Sequence, residues 1–124
     1  MRRIVAVSLL IAGIIHLLPL PGVLGAAQLE RLYGLPFGQP DLLILMRHRA
    51  LLFGLLGGLL VAAAFRPALQ PLAIAAGLAS ACAFLVLAWS TGGYGDAVAR
   101  VVWADVVAIG CLLLAAGMRG RSGG

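Results

Sequence analysis

Arg47, His48 and Arg49 stand in a row inside the apolar stretch ILMRHRALLFGLLGG. His16 and Asp105 occupy two further apolar runs. Arginine presents a permanent positive fork to anions, histidine exchanges protons near neutrality, and a carboxylate accepts hydrogen bonds and neutralises a cation. Brought together, these side chains could form a buried ion pair, hold an anionic or quinone-like head group, or pass a proton from His16 to Asp105. The cysteines, Cys82 and Cys111, have no C-x-x-C spacing, and no metal site is expected.

The elements that must position these residues follow from composition. Of 124 residues, 63% are apolar and 10% charged, and the mean hydropathy is +1.11. A soluble domain of this size could not hide so much apolar surface. Four apolar segments divide the chain, at about 4–18, 42–65, 68–89 and 98–118. Each approaches or exceeds the ~20 residues that cross a bilayer as a helix. The first is short, but a kinked turn past Pro19 and Pro21 would extend it. The expected fold is all-α: one transmembrane domain over residues 1–124, an antiparallel four-helix bundle.

All nine cations are arginine, and the net charge is +5. With a cytoplasmic N-terminus, Arg2, Arg3, Arg66, Arg119 and Arg121 face the cytoplasm without a single acid. Arg31, Arg47, Arg49 and Arg100 face outward with Glu30, Asp41, Asp96 and Asp105. This is the positive-inside pattern of a multi-pass protein of a bacterial inner membrane with both termini cytoplasmic. The excess charge is then a topology signal, and no nucleic-acid partner is expected. Arg2 and Arg3 before an apolar run, followed by VLGAAQ, also fit a signal peptide cleaved after Ala27. Against that reading, cleavage would leave three helices and an outward N-terminus.

The connections are short except for a 20-residue outer loop between the first two long helices. Prolines and glycines break that loop into turns, Ala26 to Tyr33 reads as a short helix, and its apolar residues suit a bilayer surface or a lid over the bundle mouth. Asp41 is the expected N-cap of the second long helix, and Asp96 with Arg100 an i, i+4 surface pair. Glu30 and Arg31 belong either to the mouth of a site or to solvent. Trp89, Tyr94 and Trp103 cluster at the outer end as an aromatic belt. Cys82 and Cys111 differ in depth by about 12 Å, too far for a disulfide. The tail RGRSGG is the one low-complexity segment.

Helix rise places Arg47 about 9 Å, and Arg49 and Asp105 about 12 Å, below the outer boundary, with His16 near the outer end of the first helix. Gly54 and Gly58 form a G-x-x-x-G pair, joined by Gly57, and Ala73, Gly77 and Ala81 repeat that spacing on the next helix. Such rows let helices approach closely, within one chain or between two copies of it. At 100° per residue Arg47 lies within about 20° of Gly54 and Gly58, whereas Arg49 points about 200° and His48 about 100° away from Arg47. Arg47 is therefore the expected inward partner of Asp105, and one of the other two is expected to snorkel to the headgroups.

Three functional readings stay open. The polar layer of Arg47, Asp105, His16, Arg49 and His48 binds a small amphiphilic or anionic molecule, lipid or quinone-like. Alternatively, the Arg–Asp pair only fixes helix register in a structural or accessory subunit. In the third, the chain is a membrane enzyme using His16 and Asp105 for proton transfer.

The segments GIIHLLPLPGVLG, LYGL, LMRHRALLFGLLGG, AAFRPALQPLA and RVVWADVVAIGCLL resemble small bacterial four-helix membrane proteins of the DoxX-like group. The resemblance covers nearly the whole chain and implies the same bundle. Some DoxX-type proteins are membrane partners of quinone-linked oxidoreductases, so it also implies a quinone or a membrane-protein partner, but no catalytic residue. Similar small proteins often carry the name phosphopantetheine adenylyltransferase. That activity belongs to a soluble nucleotide-binding α/β enzyme with an H-x-G-H motif, and neither is present in this sequence.

Overall fold

Proline sets the ends of the long helices. Its missing N–H and fixed φ suit a first helical turn and break an interior. In the computed structural model, which describes residues 2–121, α1 (Arg2–Leu17) stops before Pro19, and a 3-10 turn, Leu20–Leu24, carries the chain onward. A short helix, α2 (Ala26–Tyr33), follows. Pro40 opens α3 (Pro40–Phe65). Arg66, held extended by the proline after it, then leads through a 3-10 turn at Pro67–Leu69 into α4 (Gln70–Thr91). The last helix, α5, spans Asp96–Arg121. Residues 122–124, the end of the low-complexity tail, lie outside the described residues.

The all-α expectation holds. Four segments, Arg2–Leu24, Pro40–Phe65, Pro67–Thr91 and Asp96–Gly120, are long and apolar enough to cross a bilayer, with hydropathies of 1.7 to 2.3. They form an antiparallel bundle in a multi-pass membrane protein. The short helix expected at Ala26 to Tyr33 is present with those bounds. Asp41 differs from expectation: Gln39 is the N-cap of α3, Pro40 takes the first helical position, and Asp41 lies in the first turn. There its charge still favours the positive end of the helix dipole.

α1 lies between α3 and α5 and contacts both extensively; α4 rests on α5 and, more thinly, on α3. The core is built from Leu9, Ala12, Leu60, Ala63, Ala108 and Leu112, all fully buried. The small residues among them bring backbones close, the main source of helix attraction where lipid is as apolar as leucine. The segment that also fits a signal peptide thus supplies one wall of this core.

The glycines divide differently from the expected G-x-x-x-G face. Gly57, not Gly58, meets α1: a Cβ there would come within 2.9 Å of the Gly13 carbonyl oxygen and 2.7 Å of Leu17 Cγ. Gly54 is covered by Leu20, and Gly77 by Leu112 and Leu60. Gly58 is exposed, and a Cβ added there would meet nothing within 4 Å. Three glycines so close together occupy more than one face, and spacing alone does not say which of them a neighbour fills.

At the end carrying the termini, buried Gln70 donates to the Ala63 carbonyl (3.0 Å) and accepts from Arg119 (2.6 Å), which also donates to the Pro67 carbonyl (3.2 Å). These contacts join the ends of α3, α4 and α5 and satisfy carbonyl groups that a helix C-terminus leaves open. Cys82 and Cys111 are both free, as their depths required.

Candidate functional site

The opposite end is roofed. α2 is amphipathic: Leu29 and Tyr33, one turn apart, are buried with Phe37 in a second small core against Leu43, Met46 and Val101. Glu30 and Arg31 lie on the exposed side. Gly34 ends the helix at φ +68°, a conformation that suits glycine, and its N–H closes on the Glu30 carbonyl at 2.8 Å. The Glu30 carboxylate accepts from the Phe37 N–H at 3.4 Å, so Glu30 shapes this turn. The roof sits close on α3, because a Cβ at Gly22 would lie 3.3 Å from Ala50 Cβ and 2.8 Å from Leu29 Cδ2. The outer loop is therefore folded over the bundle mouth.

α3 distributes its three neighbouring polar residues by its own rotation. Arg47 is exposed, and its Nε donates to the Val23 carbonyl at 2.8 Å, at the start of the roof. His48 is also exposed, in a groove toward α4 with Leu45, Leu52, Leu56 and Ser80. Arg49 turns inward: it donates to the Tyr33 hydroxyl at 2.5 Å, and its guanidinium carbon lies 4.5 Å from the ring centre of Phe53. The rings of Tyr33 and Phe84 stand 5.5 and 5.6 Å away. A cation among aromatic faces is attracted by their negative quadrupoles.

These positions overturn the expected Arg47–Asp105 pair. Arg47 is tied to the roof, and Arg49 is the arginine that shares a cavity with Asp105. The expectation failed at Gly58, which faces outward. The true inward line of α3 runs Arg49, Phe53, Leu56, Leu60 at helical spacing, and it is this line that meets the other helices.

The shared cavity has a volume of about 250 Å³ and lies beneath the roof between α1, α2, α3 and α5. Its polar walls are Arg31, Arg49, Arg100, Tyr33 and Asp105; its apolar walls include Ile15, Leu18, Leu32, Phe53 and Val101. Three arginines and, among the described residues, one carboxylate thus line it, Arg31 and Arg100 as exposed residues at its rim. Asp105 is buried at 4% exposure, and its Oδ2 has no hydrogen-bond partner among the described residues. Beside the cavity His16 is 1% exposed, with its ring centre 5.7 Å from that of Phe53. Its Nδ1 lies 2.8 Å from the Ala12 carbonyl oxygen, and its Nε2 likewise lacks a partner among the described residues. Of the five side chains expected in the polar layer, the structure brings Arg49, Asp105 and His16 together and leaves Arg47 and His48 outside.

Arg100 was legible only as a surface residue, Arg31 as a residue either of the mouth of a site or of solvent, and Tyr33 and Phe53 as apolar bulk. A signal existed in α5: Ala97, Val101 and Asp105 repeat every four residues, and Arg100 with Ala104 forms the adjoining row. Both rows line the cavity, so Arg100 belongs to it as well as to the surface on which Asp96 lies. Among the described residues no group of three or more histidine, cysteine or acidic side chains could hold a metal ion. Compared with known proteins, the chain matches no family model, no curated protein and no solved structure.

Proposed function

We propose that this protein binds a small anionic amphiphile at the outer end of its bundle, in a bacterial inner membrane with both termini in the cytoplasm. The observation that carries this reading is the convergence of Arg31, Arg49 and Arg100 on one roofed, otherwise apolar cavity with Asp105 as its sole acid. Charged groups at membrane depth are costly unless paired or functional, and here the cations outnumber the acid. An anionic head satisfies that surplus, and the apolar walls suit the adjoining part of a tail. The DoxX-like resemblance adds a quinone-like head as the nearest alternative occupant. A purely structural Arg–Asp pair has less support, since the buried Asp105 Oδ2 has no partner among the described residues.

Molecules extracted from the purified protein and identified by mass spectrometry test the proposal. An anionic amphiphile should accompany the parent protein and be lost from a folded Arg49→Gln, Arg100→Gln variant. Equal amounts in both would sink the proposal. Topology is tested separately: a cysteine replacing Tyr94 should react with impermeant reagents added from the periplasm. Labelling from the cytoplasm alone would place the cavity at the wrong leaflet.

A further inference from the structure

The charge surplus accounts for the arginines of the cavity but not for Asp105. A carboxylate beside an anionic head repels it unless a hydrogen stands between them. Asp105 is more than nine-tenths buried and lines the cavity, and its Oδ2, itself buried, has no partner among the described residues. Buried acceptors of this kind are nearly always hydrogen-bonded in their working state. Within the cavity, Arg49 Nη1 donates to the Tyr33 hydroxyl rather than to Asp105.

His16 repeats the pattern. In the neutral ring, Nδ1 carries the hydrogen donated to the Ala12 carbonyl, so Nε2 is an acceptor. It too is buried without a partner among the described residues, next to Phe53 on the cavity wall. The cavity therefore combines a cationic lining, Arg31, Arg49 and Arg100, with an acceptor side at Asp105, while His16 lies buried behind Phe53. A ligand made only of negative oxygens fits the first and is rejected by the second.

Building on the anionic-amphiphile reading above, we infer that the head group taken by this cavity also donates hydrogen bonds: a hydroxyl-bearing anionic amphiphile, such as a glycerol phosphodiester. Its anionic oxygens lie toward the arginines and the Tyr33 hydroxyl, and its hydroxyl toward Asp105. Asp105 is then a specificity-determining residue rather than a counter-ion. Sites built to pair a ligand hydroxyl discriminate strongly against analogues that lack it, because the buried acceptor is left unpaired.

Two probes separate charge from donation: dodecyl glycerol phosphate and dodecyl methyl phosphate, monoanionic diesters with the same tail, of which only the first carries hydroxyls. Their binding to the full-length protein in dodecyl maltoside is compared by native mass spectrometry and calorimetry. The protein should prefer the glycerol ester by about tenfold. Asp105→Leu should abolish the preference while retaining the methyl ester. Asp105→Asn, which keeps the shape but offers a neutral acceptor, should reduce it to about threefold. In infrared difference spectra of the unmodified protein, the glycerol ester alone should shift a carboxyl band that is absent from Asp105→Asn.

Equal affinity for the two esters, or a preference that survives both substitutions, would overturn the donor inference while leaving the anionic reading standing. If neither ester binds more tightly than dodecanol, and Arg49→Gln changes nothing, the anionic reading falls and the donor inference falls with it.

Discussion

The two ends of this bundle are built on opposite terms. At the end carrying the termini, helices close on alanine and leucine, and the buried polar group Gln70 has partners on both sides, Ala63 and Arg119. At the other end a cavity of about 250 Å³ remains beneath the roof, and Asp105 and His16 each keep a buried polar atom without a partner among the described residues. A satisfied polar contact beside a filled core contributes to stability, whereas open acceptors beside a cavity cost stability and mark a place for a ligand. On the function proposed above, the first end serves stability and the second recognition.

Substitutions can break that division. The largest loss is expected from Leu112→Ala, at the closed end of the core, where the side chain is fully buried and fills the space beside Gly77. Emptying it should cost about 2–5 kcal/mol and lower the melting temperature in detergent, with ligand preference unaltered in the protein that remains folded. Next comes Gly57→Ala, which forces a methyl group against the Gly13 carbonyl and Leu17 and should cost about 1–3 kcal/mol. Its neighbour sharpens the point: Gly58→Ala meets open space and should be neutral or stabilising by up to about 1 kcal/mol. If the two behaved alike in thermal unfolding, the α1–α3 crossing described above would be wrong.

Gln70→Leu should cost about 1–3 kcal/mol, because it leaves the Arg119 contact at 2.6 Å without its acceptor. The smallest loss among the polar substitutions, about 1 kcal/mol, belongs to Arg49→Gln, which gives up a hydrogen bond and its aromatic contacts but fills no core. That variant should nevertheless show the greatest loss of anionic amphiphile on extraction. A large destabilisation by Arg49→Gln would merge the two ends into one structural unit.

Much of the architecture was legible before any coordinates, for physical reasons. Membrane spans advertise themselves by length and hydropathy, prolines announce helix ends, and a short amphipathic segment between Gly25 and Gly34 has few alternatives to being a helix. The rotation of α3 was not legible. In water, one polar face tells a helix which way to turn; in lipid, the outward side is as apolar as the inward side, so the pattern carries little of that information. Orientation then rests on shape, and the choice between Gly57 and Gly58 depends on where Leu17 and Gly13 of another helix arrive. Once that choice was made wrongly, Arg47 and Arg49 exchanged roles. Arg100 was hidden for a different reason: like Arg31, which the sequence left between site mouth and solvent, it is an exposed residue at the rim of the cavity.

The triplet Arg47, His48, Arg49 has one more consequence. Arg47 grips the roof near its beginning, at the Val23 carbonyl, and Arg49 grips it at the end of α2, at the Tyr33 hydroxyl. Two residues apart on a helix, they point to nearly opposite sides, so a single turn of α3 fastens ten residues of covering chain at both of its ends. Roof and helix are therefore fastened together at two points on α3, whereas the contact of α2 with α5, along the side where Arg100 and Asp105 stand, is slight by comparison.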